Sequence, residues 1–448
     1  MAKRDQQYVC NNCGAIASAW SGRCSVCGEW NTLQQQPTAE AAMASKSGRS
    51  LSVESLSESL NTDVTRIPTE SSEIDTVLGG GLVPGSVTLI AGQPGIGKST
   101  LLMQLAQDVA RKHSVLYVSA EESAHQVAGR AARIGGKAST LKLATTSSTN
   151  DIAATILDGT YKLVIVDSVQ MIAADEVTSS AGSVSQITMS TQLLTLAAKR
   201  SNTALIIVGH VTKEGSIAGP KVLEHVVDVV LQLEGDRYGG FKLLRAIKNR
   251  YGSTNEAGIF EMKENGLIPV ANPSAALLEE RHVSDGSVVL ATLEGTRPVL
   301  VEVQALVNRT SYGYPKRAAS GYDLNRLNLL VAMLEKRTKL NLAEHDIYIN
   351  IVGGIKITEP AADLAIAMAI GSATKGLQLQ KNLVVFGEVG LLGEVRHVPA
   401  VEKRLAEAKK LGFEGAIGPA TKGLSASQSK LLHVAKDVRT ALNEFLEK

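Results

Sequence analysis

The stretch that decides the fold is VTLIAGQPGIGKSTLLMQLAQDVARKH, residues 87–113. A short apolar run of strand character leads into GQPGIGKST (92–100), and a helical pattern follows at once. This is G-x-x-x-x-G-K-[ST] in the setting strand, loop, helix. Its glycines let backbone N–H groups turn inward around phosphates. The run Gly92, Gln93, Pro94, Gly95, Ile96, Gly97, Lys98, Ser99 and Thr100 therefore reads as a phosphate cradle. Lys98 would bind the β- and γ-phosphates, and Ser99 would hold Mg²⁺ through its hydroxyl. The helix N-terminus adds partial positive charge. The bland alternative is a chance match in a glycine-rich turn, and the order of the flanking elements argues against it.

Outward from this motif, VLYVSA (115–120), LVIVDS (163–168), ALIIVG (204–209) and VVLQL (229–233) are further β-branched runs. Helical patterns lie between the early ones, which implies a mostly parallel sheet. LVIVDS ends in Asp167, a carboxylate placed to orient Mg²⁺; alone it would read as a cap for the next helix. VSAEES ends another strand in Glu121 and Glu122. Glu121 is the candidate for polarising an attacking water, and Glu122 reads as a helix-dipole carboxylate. His210, after IIVG, is either a γ-phosphate sensor or a satisfied strand-end histidine. The loop VTKEGSIAGPKVLEH carries Lys213 and Lys221, and AADEVTSSAGSVSQ is polar. Either lines a nucleic-acid channel or is ordinary surface. Residues 241–247 and 257–261 read as an antiparallel pair with KNRYG (248–252) at their turn.

The four cysteines, Cys10, Cys13, Cys24 and Cys27, form C-x2-C, ten residues, C-x2-C. Gly14 and Gly28 follow the second cysteine of each pair, where tight turns need positive φ. Four thiolates close a tetrahedral structural Zn²⁺ site. The alternative is two local disulfides or free thiols. Residues 1–33 form this finger, and 34–62 read as a mobile linker rich in Ser, Ala, Gln and Glu. Residues 63–271 hold the strand–helix alternation, and a further α+β unit covers 272–448. The chain has 448 residues with 44% hydrophobic, 20% charged and 4% aromatic composition. The net charge of +2 excludes a bulk polycation, so nucleic-acid binding would need local basic surfaces. No apolar window is long enough for a membrane helix, and MAKRDQQYVC lacks a signal core. The expectation is a cytoplasmic protein with no membrane partner.

In this order the motifs resemble the RecA-like core of recombinases and hexameric helicases. With the cysteine block in front, KNRYG after the core and another domain behind, the whole chain resembles the RadA (Sms) family of bacterial recombination and repair ATPases. The family's Lys-Asn-Arg-Phe-Gly carries Tyr251 for Phe here. The resemblance implies an α/β, RecA-like P-loop NTPase core between a zinc finger and a Lon-protease-like domain. It implies ATP/ADP, Mg²⁺ and Zn²⁺ as cofactors, and a homo-oligomer in the form of a hexameric ring. Lys248 and Arg250 would then reach the γ-phosphate bound by the next subunit. Single-stranded and branched DNA and a RecA recombinase are the implied partners.

The Lon family's catalytic serine and lysine fall here at Ala361, in EPAAD (359–363), and Glu402, in PAVE (399–402). Proteolysis is therefore not expected. Lys316, Arg317 and Arg326, beside Tyr312, Tyr314 and Tyr322, are candidate DNA contacts, each with an ordinary solvated face as its alternative. The implied function is a DNA-dependent ATPase that moves along single-stranded DNA, extends heteroduplex and drives branch migration. The rival is a RecA-fold ATPase remodelling a protein partner, against which the finger and KNRYG argue.

Overall fold

The structure is a computed structural model, and it describes residues 6–13, 15–37, 65–135, 140–210, 222–235, 241–311, 313–380 and 382–447. The chain divides into two compact units, Met1–Asp63 and Val64–Lys448. The first contains a three-stranded antiparallel sheet of β1 (Gln6–Cys10), β2 (Ile16–Ala17) and β3 (Leu33–Pro37), ordered β2-β1-β3. Among the described residues, Cys10, Cys24 and Leu33 are its buried apolar side chains. A core this small does not hold a fold without a cross-link or a metal. β3 reaches into the run read as linker; residues 38–62 of that run lie outside the described residues.

The second unit is built on a nine-stranded sheet. Its strands are β4 (Val87–Gly92), β5 (Val115–Ser119), β6 (Leu141–Thr145), β7 (Leu163–Asp167), β8 (Ala204–His210), β9 (Val229–Gly235), β10 (Phe241–Asn249), β11 (Ala257–Lys263) and β12 (Gly266–Pro269). The order is β12-β11-β10-β9-β4-β8-β7-β5-β6. The six strands from β9 to β6 run parallel, as the alternation of strands and helices predicts. Every residue of β4 is buried, which is why a parallel strand covered on both faces reads as one apolar run. β10, β11 and β12 extend the sheet antiparallel.

A second sheet follows within the same unit. β13 (Ser287–Glu294) and β14 (Arg297–Arg309) form its central hairpin, with β15 (Arg317–Ser320) and β16 (His345–Ile351) beyond β14. Leu383–Val385, Gly415–Gly418 and Leu432–Val434 complete the other side. The helix Asp363–Lys375 is buried over its first ten residues, Asp363 to Ser372. Being apolar on nearly all sides, it sits inside the domain.

The two sheets share one hydrophobic core. Phe241, Leu243 and Ile259 of the first pack into the cluster that contains Val288, Leu300 and Leu364 of the second. Polar ties reinforce the seam. Arg245 pairs with buried Glu294 at 2.5 Å, and Arg297 pairs with Glu73 at 3.1 Å.

Arg404 is fully buried in the C-terminal domain. Its guanidinium pairs with Glu359, donates to the Ala291 and Pro399 carbonyls, and lies 5.6 Å from the Phe386 ring centroid. Glu359 also accepts from the Thr292 hydroxyl and the Leu293 N–H. Removing one partner of such a pair strands a buried charge. Arg404→Ala is expected to lower stability by about 3–5 kcal/mol, read from urea unfolding; an unchanged midpoint would show that the pair is dispensable.

Candidate functional site

The parallel register brings four strand ends to one edge of the sheet. Gly92 pairs with His210 on one side and Leu233 on the other, and Ser119 pairs with Asp167. Ligands of open α/β sheets bind at this carboxyl edge. Gly95 and Gly97 hold φ of 78° and 114°, so the loop takes the left-handed turns that glycine tolerates. A Cβ on Gly97 would also stand 2.7 Å from Met262 Cε. Lys98 and Ser99 open the helix Lys98–Val109. Lys98 is 4% exposed, and its Nζ donates to the carbonyls of Gly92 (2.8 Å) and Gln93 (3.1 Å). Burial pushes its ammonium down to about 8, against the pull of Asp167 and Glu121.

Asp167 accepts a 2.7 Å hydrogen bond from the Tyr117 hydroxyl. Nothing in the sequence singled out Tyr117; the link follows from β5 and β7 lying side by side. Glu121 and Glu122 have different surroundings. Glu122 pairs with Arg130, while Glu121 is exposed beyond the strand end. His210 ends β8 beside the phosphate loop, but its side chain lies outside the described residues. Lys213 and Lys221 lie outside them as well. The polar loop before the helix Val184–Ser201 is well braced. Gln186 donates to the carbonyls of Ala174, Val177 and Ser179, and accepts from the Ala174 N–H.

KNRYG lies at the opposite edge. Lys248 and Asn249 pair with Val230 and Val229 at the start of β9, whereas the phosphate loop faces its far end at Leu233. Three to four residue steps along β9 separate these rows, about 10–13 Å at 3.3 Å per residue. Lys248 Nζ donates to the carbonyls of Glu224 (2.6 Å) and Val227 (2.8 Å). Burial lowers its affinity for the proton, as does neighbouring Arg250. Arg250 is half exposed and pairs with Asp228 at 3.1 Å.

Asp228 is 1% exposed and also accepts from the Val87 N–H (3.1 Å) and Lys199 (3.4 Å). Burial and this carboxylate push the Tyr251 phenol up, so the hydroxyl that distinguishes Tyr251 from Phe has a neighbour. Asn249 donates to the Val77 and Leu78 carbonyls, and Arg66 to the Tyr251 carbonyl. Gly252 rests on Gly79, since a Cβ there would stand 3.1 Å from Gly79 Cα.

In the first unit the four cysteine sulfurs lie within 4.8 Å of one another. Cys10 and Cys27 are 3.7 Å apart, as are Cys13 and Cys24, which excludes disulfides. Tetrahedral Zn²⁺ with Zn–S near 2.3 Å separates its sulfurs by about 3.8 Å, so the donor set fits zinc. Gly28 takes φ 77° in the second knuckle as expected, while Gly14 is outside the described residues. Trp20 and Trp30 are exposed, and the Arg23 guanidinium lies 5.8 Å from the Trp30 ring centroid.

In the C-terminal domain Ala361, which the resemblance sets at the Lon serine position, is 1% exposed, and Glu402, which it sets at the lysine position, is exposed. The basic candidates separate. Arg326 is bound in a fork to buried Asp363, both bonds 2.6 Å, and Tyr322 donates to the same carboxylate at 2.7 Å. These groups hold a helix junction and are not free for phosphates. Arg317 donates to Asn328, and Lys316 is engaged through its N–H to Asp346. Tyr314 is 86% exposed, and Tyr312 lies outside the described residues. Among the described residues no helix is long and apolar enough to cross a membrane.

Three family models match the chain. One, described as a rubredoxin metal binding domain, covers residues 8–35; an AAA domain covers 54–216; subunit ChlI of Mg-chelatase covers 328–422. The chain is 45% identical to the DNA repair protein RadA of Bacillus subtilis, over 99% of this chain and 100% of that protein. It is 44% identical to the RadA of Escherichia coli, with 94% of each chain covered. The RadA of Brucella abortus is 47% identical over 94% of this chain and 92% of its own.

Cys24→Ser should release the metal from the purified protein. Elemental analysis would read this as loss of one zinc per chain, and undiminished zinc would refute the four-thiolate site.

Proposed function

The chain belongs to the RadA family of bacterial DNA repair proteins, and on that footing we propose that it is a cytoplasmic, DNA-stimulated ATPase that drives branch migration and heteroduplex extension. In this reading residues 63–271 are the motor and 272–448 a Lon-like platform without proteolytic function. The observation that carries it is the separation of Lys98 and KNRYG across the sheet. Lys248, held by backbone carbonyls, and Arg250, held by Asp228, stand at the far edge and cannot reach the phosphates of their own loop. They can serve the loop of a neighbouring copy, which makes hydrolysis depend on a closed ring, taken here to be a hexamer.

Ser99 and Asp167 would hold Mg²⁺, which supplies charge neutralisation for phosphoryl transfer. Lys98 exchanges its carbonyl partners for phosphate oxygens. The Tyr117 hydroxyl holds Asp167 in place, and exposed Glu121 is free to orient the attacking water. Arg250 would stabilise the developing charge from the adjacent subunit. Lys248 keeps its backbone partners and positions the turn unless assembly draws it out. Single-stranded and branched DNA would be gripped chiefly through phosphates and so released by salt, with a RecA recombinase as the natural collaborator.

Steady-state ATP hydrolysis with and without single-stranded DNA tests the reading. Stimulation by DNA, abolished in Lys98→Ala, is the expected result; hydrolysis indifferent to DNA would favour a protein-remodelling ATPase. Arg250→Ala should bind nucleotide normally yet lose about 10³-fold in turnover, the usual cost of a missing trans arginine. Full branch migration by that variant would end the trans-acting assignment. Casein should remain intact in the same preparations.

A further inference from the structure

The phosphate loop has a neighbour outside its own sheet. A cavity of about 540 Å³ opens beside Gly92 and Gln93 and runs along the end of β9. Its opposite wall belongs to the C-terminal domain, at Gly354 and Lys356. The direction of Lys356 is built in. Ile355 and Ile357 on either side of it are buried in the domain core, so the lysine between them is turned outward. Gly353 and Gly354, with φ of 86° and 71°, make the bend that brings this run to the seam. A Cβ on Gly353 would collide with Leu277 Cδ2 at 2.1 Å, so the bend is tightly packed.

The charges around the cavity are mostly spent. Arg245 is bound to Glu294 and, at 3.5 Å, to Glu234. Burial pushes Glu294 up to about 7, with Arg245 working against it. Lys356 is exposed and, among the described residues, has no hydrogen-bond or ion-pair partner. It also borders a cavity of about 750 Å³ near Arg326 and Asp363, and so stands on the ridge between the two.

We propose that Lys356 is a nucleotide-binding residue supplied by the C-terminal domain of the same chain, its ammonium holding the phosphates that are not transferred. This rests on the reading that the loop at 92–100 binds ATP. The side of approach defines the role. Asp167 and Glu121 lie on the β7 and β5 side of β4, whereas this cavity lies on the β9 side. A cation there meets phosphates whose charge changes little during transfer. It binds ground state and transition state alike, and so acts on affinity and not on turnover.

The test uses the full-length protein, with ATP hydrolysis and binding of N-methylanthraniloyl-ADP as paired readouts. Lys356→Ala should raise KM for ATP and weaken ADP binding about tenfold each, the scale of one charged hydrogen bond. kcat should stay within about twofold, since uniform binding was lost. Lys356→Arg should recover most of the affinity, and the thermal melts of all variants should overlay. Unchanged KM and ADP affinity in Lys356→Ala would overturn the proposal. So would a collapse of kcat with ADP affinity intact, which would place the residue on the transfer side. Lys98→Ala is the control for the underlying reading. Wild-type protein that neither hydrolyses ATP nor binds the ADP probe defeats that reading itself, and the assignment of Lys356 with it.

Discussion

The hydrogen-bond ladder that β4 shares with β8 and β9 is the constraint on which the ATPase body depends. At one end it delivers Gly92 to the phosphate loop between His210 and Leu233. At the other, the Val87 N–H is held by Asp228, the carboxylate that also binds Arg250 and Lys199. A slip of one residue in this ladder would exchange the side chains that β4 packs into the cores on its two covered faces. It would also move both functional edges together. The distance between phosphate loop and KNRYG is thus a property of a fully buried strand and not of a loop.

The C-terminal domain answers with a different economy. Its apolar helix Asp363–Lys375 fills the interior, and two buried acid–arginine pairs fix what surrounds it. Arg404 and Glu359 tie the helix Val401–Lys410 to the end of β13, and Arg326 and Asp363 tie the helix Leu324–Thr338 to the same central helix. Removing either arginine leaves a buried carboxylate without its counter-charge. Where a Lon-type enzyme needs a nucleophile and a base free to move protons, this domain has immobilised the neighbouring polar groups. Its shared core with Phe241, Leu243 and Ile259 makes it part of the frame that carries the nine-stranded sheet.

What the sequence disclosed depended on how far the signal had to travel. The phosphate loop, the carboxylate ending LVIVD and the cysteine spacing are local, and each stands where its neighbours along the chain put it. The antiparallel pair around KNRYG was legible too, though its strands run on to Asn249 and Lys263. The setting of KNRYG was not. Asn249 is held by the Val77 and Leu78 carbonyls and Tyr251 by Arg66, partners whose approach exists only once the sheet is formed. Arg326 and Tyr322 looked like free surface for the same reason. Asp363 is hidden inside an apolar helical run, and only the fold brings it beneath them. Asp228 did carry a sign, as a carboxylate in an otherwise apolar VVDVV run, but its several partners come from separate elements.

The contact between Gly79 and Gly252 has a consequence for how such a chain can change over time. Each glycine sits where a Cβ would stand 3.1 Å from the Cα of the other, and Gly79 also holds φ 80°. No larger residue at one position can be accommodated by a smaller one at the other, since both are already at the minimum. The two turns therefore form a single heritable unit despite their separation in the chain. A chimera that exchanged the segment around 66–81 or the KNRYG turn alone between distant relatives would join halves shaped for different partners. Recombination between such genes should preserve the pair or lose the edge that it supports.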